Sequence, residues 1–205
     1  MALRREGALL LLGVTALAVI IALVVFPEAA EGEPIDVLVR LFALYGFFFL
    51  NVAVLTTPFL KEITQAFGKP FLKVHHSFSA LGIIFITLHP VFNAFQRLSL
   101  LVFVPRFDSW NIFWVLAGRP AFIIVYIALL AALLRKSVPK YWRAFHALMY
   151  IVLLFGIVHA NLIGNDFQNP IITVIYDALF VASIAGFVFK RYRNYRLKKN
   201  ATRRG

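Results

Sequence analysis

Apolar residues run along this chain in six long stretches, at roughly 8–26, 37–59, 75–95, 112–134, 145–163 and 171–189. Each is close to the ~20 residues that a helix needs to cross a ~30 Å hydrocarbon layer. The breaks between them are polar and turn-rich: "PEAAEGEP", "KEITQAFGKP", "RLSLLVFVPRFDSW", "RKSVPKYWR" and "GNDFQNP". This pattern predicts an all-α, integral membrane six-helix bundle. The first stretch follows a charged start, as in a secretory signal, but its 8–26 run exceeds the usual 7–15-residue signal core. It is expected to remain as a membrane helix.

Composition agrees, with 61% hydrophobic residues and a mean hydropathy of +0.84, outside the range of soluble domains. The absence of cysteine excludes disulfides, iron–sulfur clusters and thiolate metal sites. A net charge of +12 would suggest nucleic acid in a soluble protein, but here its distribution reports orientation. Of the 21 basic residues, all but Arg40, Arg97, Arg106 and Arg119 fall on one side of the six-span map. Glu28, Glu31, Glu33, Asp36, Asp108 and Asp166 fall on the other. Both termini are therefore expected in the cytoplasm, in a multi-pass protein of the cell membrane. The chain divides into a first helix and outer loop (1–36), a core (37–189) and a basic cytoplasmic tail (190–205), with no internal repeat in the sequence. The tail is expected to meet anionic lipid head groups rather than nucleic acid; an acidic redox partner is the alternative.

All five histidines lie in two apolar stretches, "VHHSFSALGIIFITLHP" (His75, His76, His89) and "FHALMYIVLLFGIVHAN" (His146, His159). Ionisable groups in hydrocarbon are costly and mark function. The third and fifth spans run in the same direction, so depth is comparable between them. His75, His76 and His146 sit at the cytoplasmic starts, and His89 and His159 lie 13 or 14 residues on, about 20 Å deeper. Two layers result, each with an imidazole from either helix. A lone intramembrane histidine commonly bridges helices by a hydrogen bond, whereas a facing pair is what a six-coordinate heme iron requires. Two layers predict two stacked b-type hemes, noncovalent because there is no C-x-x-C-H. One metal ion cannot be shared across ~20 Å. Phe78, Phe85, Phe145 and Phe155 are candidate walls.

At about 100° per residue, a spacing of 14 falls about 40° short of four turns and a spacing of 13 about 140° short. His75 is thus the better companion of His89, with His76 as alternate. The fifth helix needs a tilt, a local tightening, or hemes approached from different sides, and Gly156 and Pro90 are candidate irregularities. A heme-free histidine transporter or proton channel is the rival reading.

The segments "HHSFSALGIIFITLH", "GRPAFIIVYIALLAALL", "KYWRAFHALMYIVLLFGIVHANL" and "RLFALYGFFFLNVAVLTTPFL" resemble the ferric reductase-like transmembrane domain, over roughly 37–189. That superfamily includes metal reductases, NADPH oxidases and the heme-binding subunit of the periplasmic methionine sulfoxide reductase system. The resemblance implies electron transfer across the membrane through an inner heme on His75 and His146 and an outer heme on His89 and His159. Arg40 and Arg119 fall near span ends at the depth of outer-heme propionates, with ordinary span-end anchoring as the alternative. Arg97 and Arg106 lie in the outer loop, either facing an outer acceptor (metal ion, oxygen or a periplasmic reductase) or simply solvated. The chain ends about 16 residues after the last span, and with no G-x-G-x-x-G it is expected to lack its own FAD and NAD(P)H site. The donor is then a separate flavoprotein or membrane quinol. Asp177 is expected to be structural.

Overall fold

A computed structural model describes residues 3–29 and 33–202; Glu31, Arg203 and Arg204, counted in the charge map, lie outside them. The described chain is helical, without a strand: α1 (Arg5–Ala29), α2 (Pro34–Thr56), α3 (Leu60–Phe67), α4 (Phe71–Arg97), α5 (Trp110–Val115), α6 (Gly118–Leu133), α7 (Trp142–His146), α8 (Met149–Ile163) and α9 (Pro170–Thr202). Five segments are long and apolar enough to cross a membrane, α7 and α8 counting as one. Leu9, Leu10, Leu12 and Leu23 of α1 are exposed, an outward face suited to lipid rather than water.

The fourth expected span is shorter than the sequence suggested. In place of one helix over 112–134, α5 ends at Val115 and α6, of 16 residues, starts at Gly118. Pro120 has no N–H to give to Leu116, so the ladder cannot run straight through. The Arg119 N–H turns to the Leu116 carbonyl (3.0 Å), which releases the Val115 carbonyl from its helical partner.

Among the described residues the most extensive helix contact joins α2 to α4, where glycine is essential. A Cβ on Gly46 would lie 2.7 Å from the Ile86 backbone nitrogen, and one on Gly82 would lie 2.8 Å from the Leu50 nitrogen. On α4 His75, Gly82 and His89, and on α2 Ala53, Gly46 and Val39, recur at seven-residue intervals: His75 reaches Ala53 O, His89 reaches Val39 O, and between them Gly82 meets Leu50 and Gly46 meets Ile86. A seven-residue repeat keeps one seam facing a neighbouring helix despite the drift of an ideal helix. Both histidines of α4 therefore reach α2.

The remaining helices fix this pair in place. Ile21 and Val25 of α1 enter the buried core with Phe48, Leu153 and Tyr176, and the Tyr45 hydroxyl donates to the Ala18 carbonyl (3.0 Å). Between α2 and α9, Ser183 donates to the side-chain oxygen of buried Asn51 (2.8 Å), which itself donates to the Phe47 carbonyl (2.9 Å). Asp177 accepts from Asn161 (3.1 Å), tying α9 to α8. The basic segment after 189 continues α9 as helix, with Arg193 over Phe189 (5.7 Å) and Arg196 over Tyr192 (5.9 Å).

Candidate functional site: two histidine pairs

Four histidines share one design. The Nδ1 atom of His75 donates to Ala53 O (3.0 Å), that of His89 to Val39 O (3.0 Å), that of His146 to Ala128 O (3.2 Å) and that of His159 to Val115 O (2.6 Å). A carbonyl only accepts, so each Nδ1 carries a proton, and in the neutral ring the lone pair is then on Nε2, where a ligand could bind. Tying the far nitrogen to a carbonyl is how metal-binding imidazoles are oriented and made more basic. His76 is exposed, with its ring centre 6.1 Å from that of His75, and it lies off this seam.

Local backbone chemistry supplies two of the carbonyls. Pro58 ends α2, and the Thr57 N–H closes a tight turn on Val54 instead of the regular bond to Ala53. Ala53 O then accepts from His75 and from the Thr56 hydroxyl (2.7 Å). Val115 O is released by the Gly118–Pro120 interruption and accepts from His159. Gly118 also makes room, since a Cβ there would stand 3.0 Å from the His159 ring.

The second hairpin thus echoes the first, with His146 over Ala128 and His159 over Val115 in one antiparallel register. The angular deficit between His146 and His159 is reduced by tightening. Leu148 N–H bonds Phe145 O (3.0 Å), Tyr150 bonds Ala147 (3.1 Å) and Ile151 bonds Leu148 (2.9 Å), all of 3₁₀ type. Each residue so wound turns about 20° further than in an α-helix, which takes up part of the deficit. The irregularity falls at Ala147–Leu148, not at Gly156 or Pro90. Gly156 instead admits Phe47, whose ring would be 2.9 Å from a Cβ there, and α4 runs unbroken through Pro90.

At one end of the bundle the His75 and His146 rings meet edge-on, centres 6.3 Å apart and planes at 79°. A metal–imidazole bond of about 2 Å puts the ring centres of two trans ligands roughly 6 Å apart. Phe71 stacks on His75 at 5.4 Å, and the Ser79 hydroxyl lies 3.4 Å from His75 Nε2. At the other end His89 and His159 line a cavity of about 560 Å³, within the range of cofactor sites. Arg40 and Arg119 both line it. Arg40 Nε donates to Asp166 Oδ1 (2.9 Å), with a second, closer contact from Nη2, and Arg119 donates to Val104 O (2.9 Å). Arg97 lines the cavity too and donates to Asn93 (2.8 Å), whereas Arg106 pairs with Asp108 (2.7 Å) on the exposed surface.

Among the described residues, no group of three or more histidine, cysteine or acidic side chains could hold a metal ion. The site is two separate imidazole pairs. No family model, no curated protein and no solved structure matches this chain.

Not every expected wall residue is in place. Phe78 and Phe85 follow the histidine seam by three residues and so lie about 60° around α4. With Phe42 and Phe49 they form an aromatic seam, Phe49 stacking on Phe78 (6.4 Å) and Phe85 (5.9 Å). Phe145 is 48% exposed, and Phe155 packs edge-on against Phe113 and Trp114. The cavity at the His89–His159 end is walled instead by Phe47, Phe103, Phe122 and Phe167. Buried Asp166 and Tyr176 also line it. Nothing in the sequence had marked Tyr176, and Asp166 had appeared only as one of the acids on the basic-poor side.

Proposed function

We propose that this chain is a transmembrane b-type cytochrome that carries electrons through two bis-histidine hemes to an acceptor at the outer face. The observation that carries the reading is the set of four imidazoles, each with Nδ1 committed to a backbone carbonyl and grouped as two pairs. Heme bound at such a pair supplies a one-electron carrier. The chain's residues hold and tune it. Helix carbonyls fix the ring tautomer and orientation at His75, His89, His146 and His159. Phenylalanine walls exclude water from the outer cavity, and Arg40 and Arg119 offer guanidinium groups to ligand carboxylates there. The residues present fit the group.

The bias of basic residues orients the His75–His146 end toward the cytoplasm, with both termini on that side. Electrons then enter at this pair from a flavoprotein or membrane quinol and leave from His89–His159. The test uses sealed vesicles of each orientation. A flavin reductase with NADH, or a quinol, is offered as donor and a membrane-impermeant ferric chelate as acceptor, with heme absorbance as the readout. Reduction from the cytoplasmic face with chelate reduction at the opposite face is expected, and His159→Ala should keep the first and lose the second. Entry that instead requires His159 contradicts the proposed direction and points to a quinol site at the outer end.

A further inference from the structure

Tyr176 is the one buried side-chain polar group among the described residues whose oxygen has no hydrogen-bond partner. A phenol hydroxyl taken from water and left unpaired costs roughly 1–3 kcal/mol, so buried hydroxyls almost always find a partner. Here the ring is 1% exposed and is held between Phe47 (centres 5.9 Å apart) and Phe167 (5.5 Å), both of which line the outer cavity with it. Phenylalanine would fill the same space in this core without the penalty. Tyr45 and Asp166 are among the polar side chains in electrostatic range of the hydroxyl. Tyr45 is occupied with Ala18 O, and Asp166 with Arg40.

We infer that the Tyr176 hydroxyl is a carboxylate anchor of the outer cavity, donating to a carboxylate of the macrocycle held between His89 and His159. The inference rests on the proposed function. Its physical basis is charge balance as well as the unpaired donor. The Arg40–Asp166 pair brings one positive and one negative charge to the same wall, so Arg40 is already largely neutralised when a carboxylate arrives. A neutral O–H adjacent to that pair supplies a further donor without another buried charge. The wall is drawn from three elements, with Arg40 on α2, Asp166 in the turn between α8 and α9, and Tyr176 on α9. It therefore forms only when those elements are packed together.

The test is Tyr176→Phe in the full chain. Because the hydroxyl has no protein partner, the heme-free variant should melt at or above the wild-type temperature. Transfer of the outer heme to excess apomyoglobin, measured also in a His75→Ala background that keeps only that heme, should be roughly tenfold faster, as expected for loss of one hydrogen bond to a charged group. The outer-heme midpoint potential should fall, since a less stabilised carboxylate favours the ferric state. Reconstitution with iron protoporphyrin dimethyl ester, which carries no carboxylate, should bring the two proteins' transfer rates close together. A hydroxyl satisfied by water alone gives equal rates and potentials with ordinary heme, and that result overturns the role of Tyr176 while leaving the hemes in place. An undiminished difference with the ester overturns it equally. Wild-type protein that binds no heme overturns the proposed function itself.

Discussion

Replacing His146 with alanine is expected to remove one of two hemes and spare the other, and His75→Ala is expected to produce the same spectrum. The two rings stand 6.3 Å apart, so under the proposed function either variant would remove one of the two imidazoles that would hold the same iron. His89→Ala and His159→Ala should form a second matched pair, losing the other heme, because both rings line one cavity. Each variant should retain about half of the wild-type heme absorbance, as two six-coordinate sites of one heme each require. His76→Ala should retain all of it, since that ring is exposed and off the seam. If His76→Ala reproduces the His146 loss, the inner ligand is misassigned.

Gly46→Val is expected to remove both hemes together, although it touches neither. Its Cβ would stand 2.7 Å from the Ile86 nitrogen and 2.9 Å from the Ile86 Cα, and backbone atoms cannot rotate away as a flexible side chain can. Relief requires separation of α2 from α4, at the upper end of the roughly 1–3 kcal/mol that overpacking costs. Ala53 and Val39 would then withdraw from His75 and His89, and both imidazoles would lose the bond that orients them. Heme content per folded chain and thermal midpoint report the two parts of this effect. A stable Gly46→Val protein with full heme would show that the glycine contact does not position the histidines.

Much of this arrangement is legible in the chain. Long apolar runs mark the spanning helices because hydrocarbon tolerates little else, and a 14-residue interval suffices to choose His75 over His76 as the residue sharing a face with His89. What stays hidden depends on backbone groups or on packing between distant segments. The carbonyls of Ala53, Val39, Ala128 and Val115 have no side-chain signature, so the repeated hydrogen-bond design is invisible in a sequence without a repeat. Hydropathy reads "WNIFWVLAGRPAF" as one span, since it registers the apolarity of the segment but not the N–H that Pro120 lacks. The tightening at Ala147–Leu148 follows from the need to turn His146 toward His75, and no glycine or proline stands there to announce it. Phenylalanine is equally suited to a heme wall, an interhelical seam or lipid, which is why Phe78 and Phe85 were legible as apolar but not as members of a seam. Asp166 and Tyr176 meet Arg40 and Phe47 only after α9 has packed against α2.

The most direct test of the central claim is heme quantification in the purified, detergent-solubilised protein, with a reduced-minus-oxidised spectrum of the same sample. Two imidazole pairs predict a red protein, a b-type difference spectrum and about two hemes per chain. A colourless protein that takes up no added heme would contradict the account and leave the histidines to a transporter or channel.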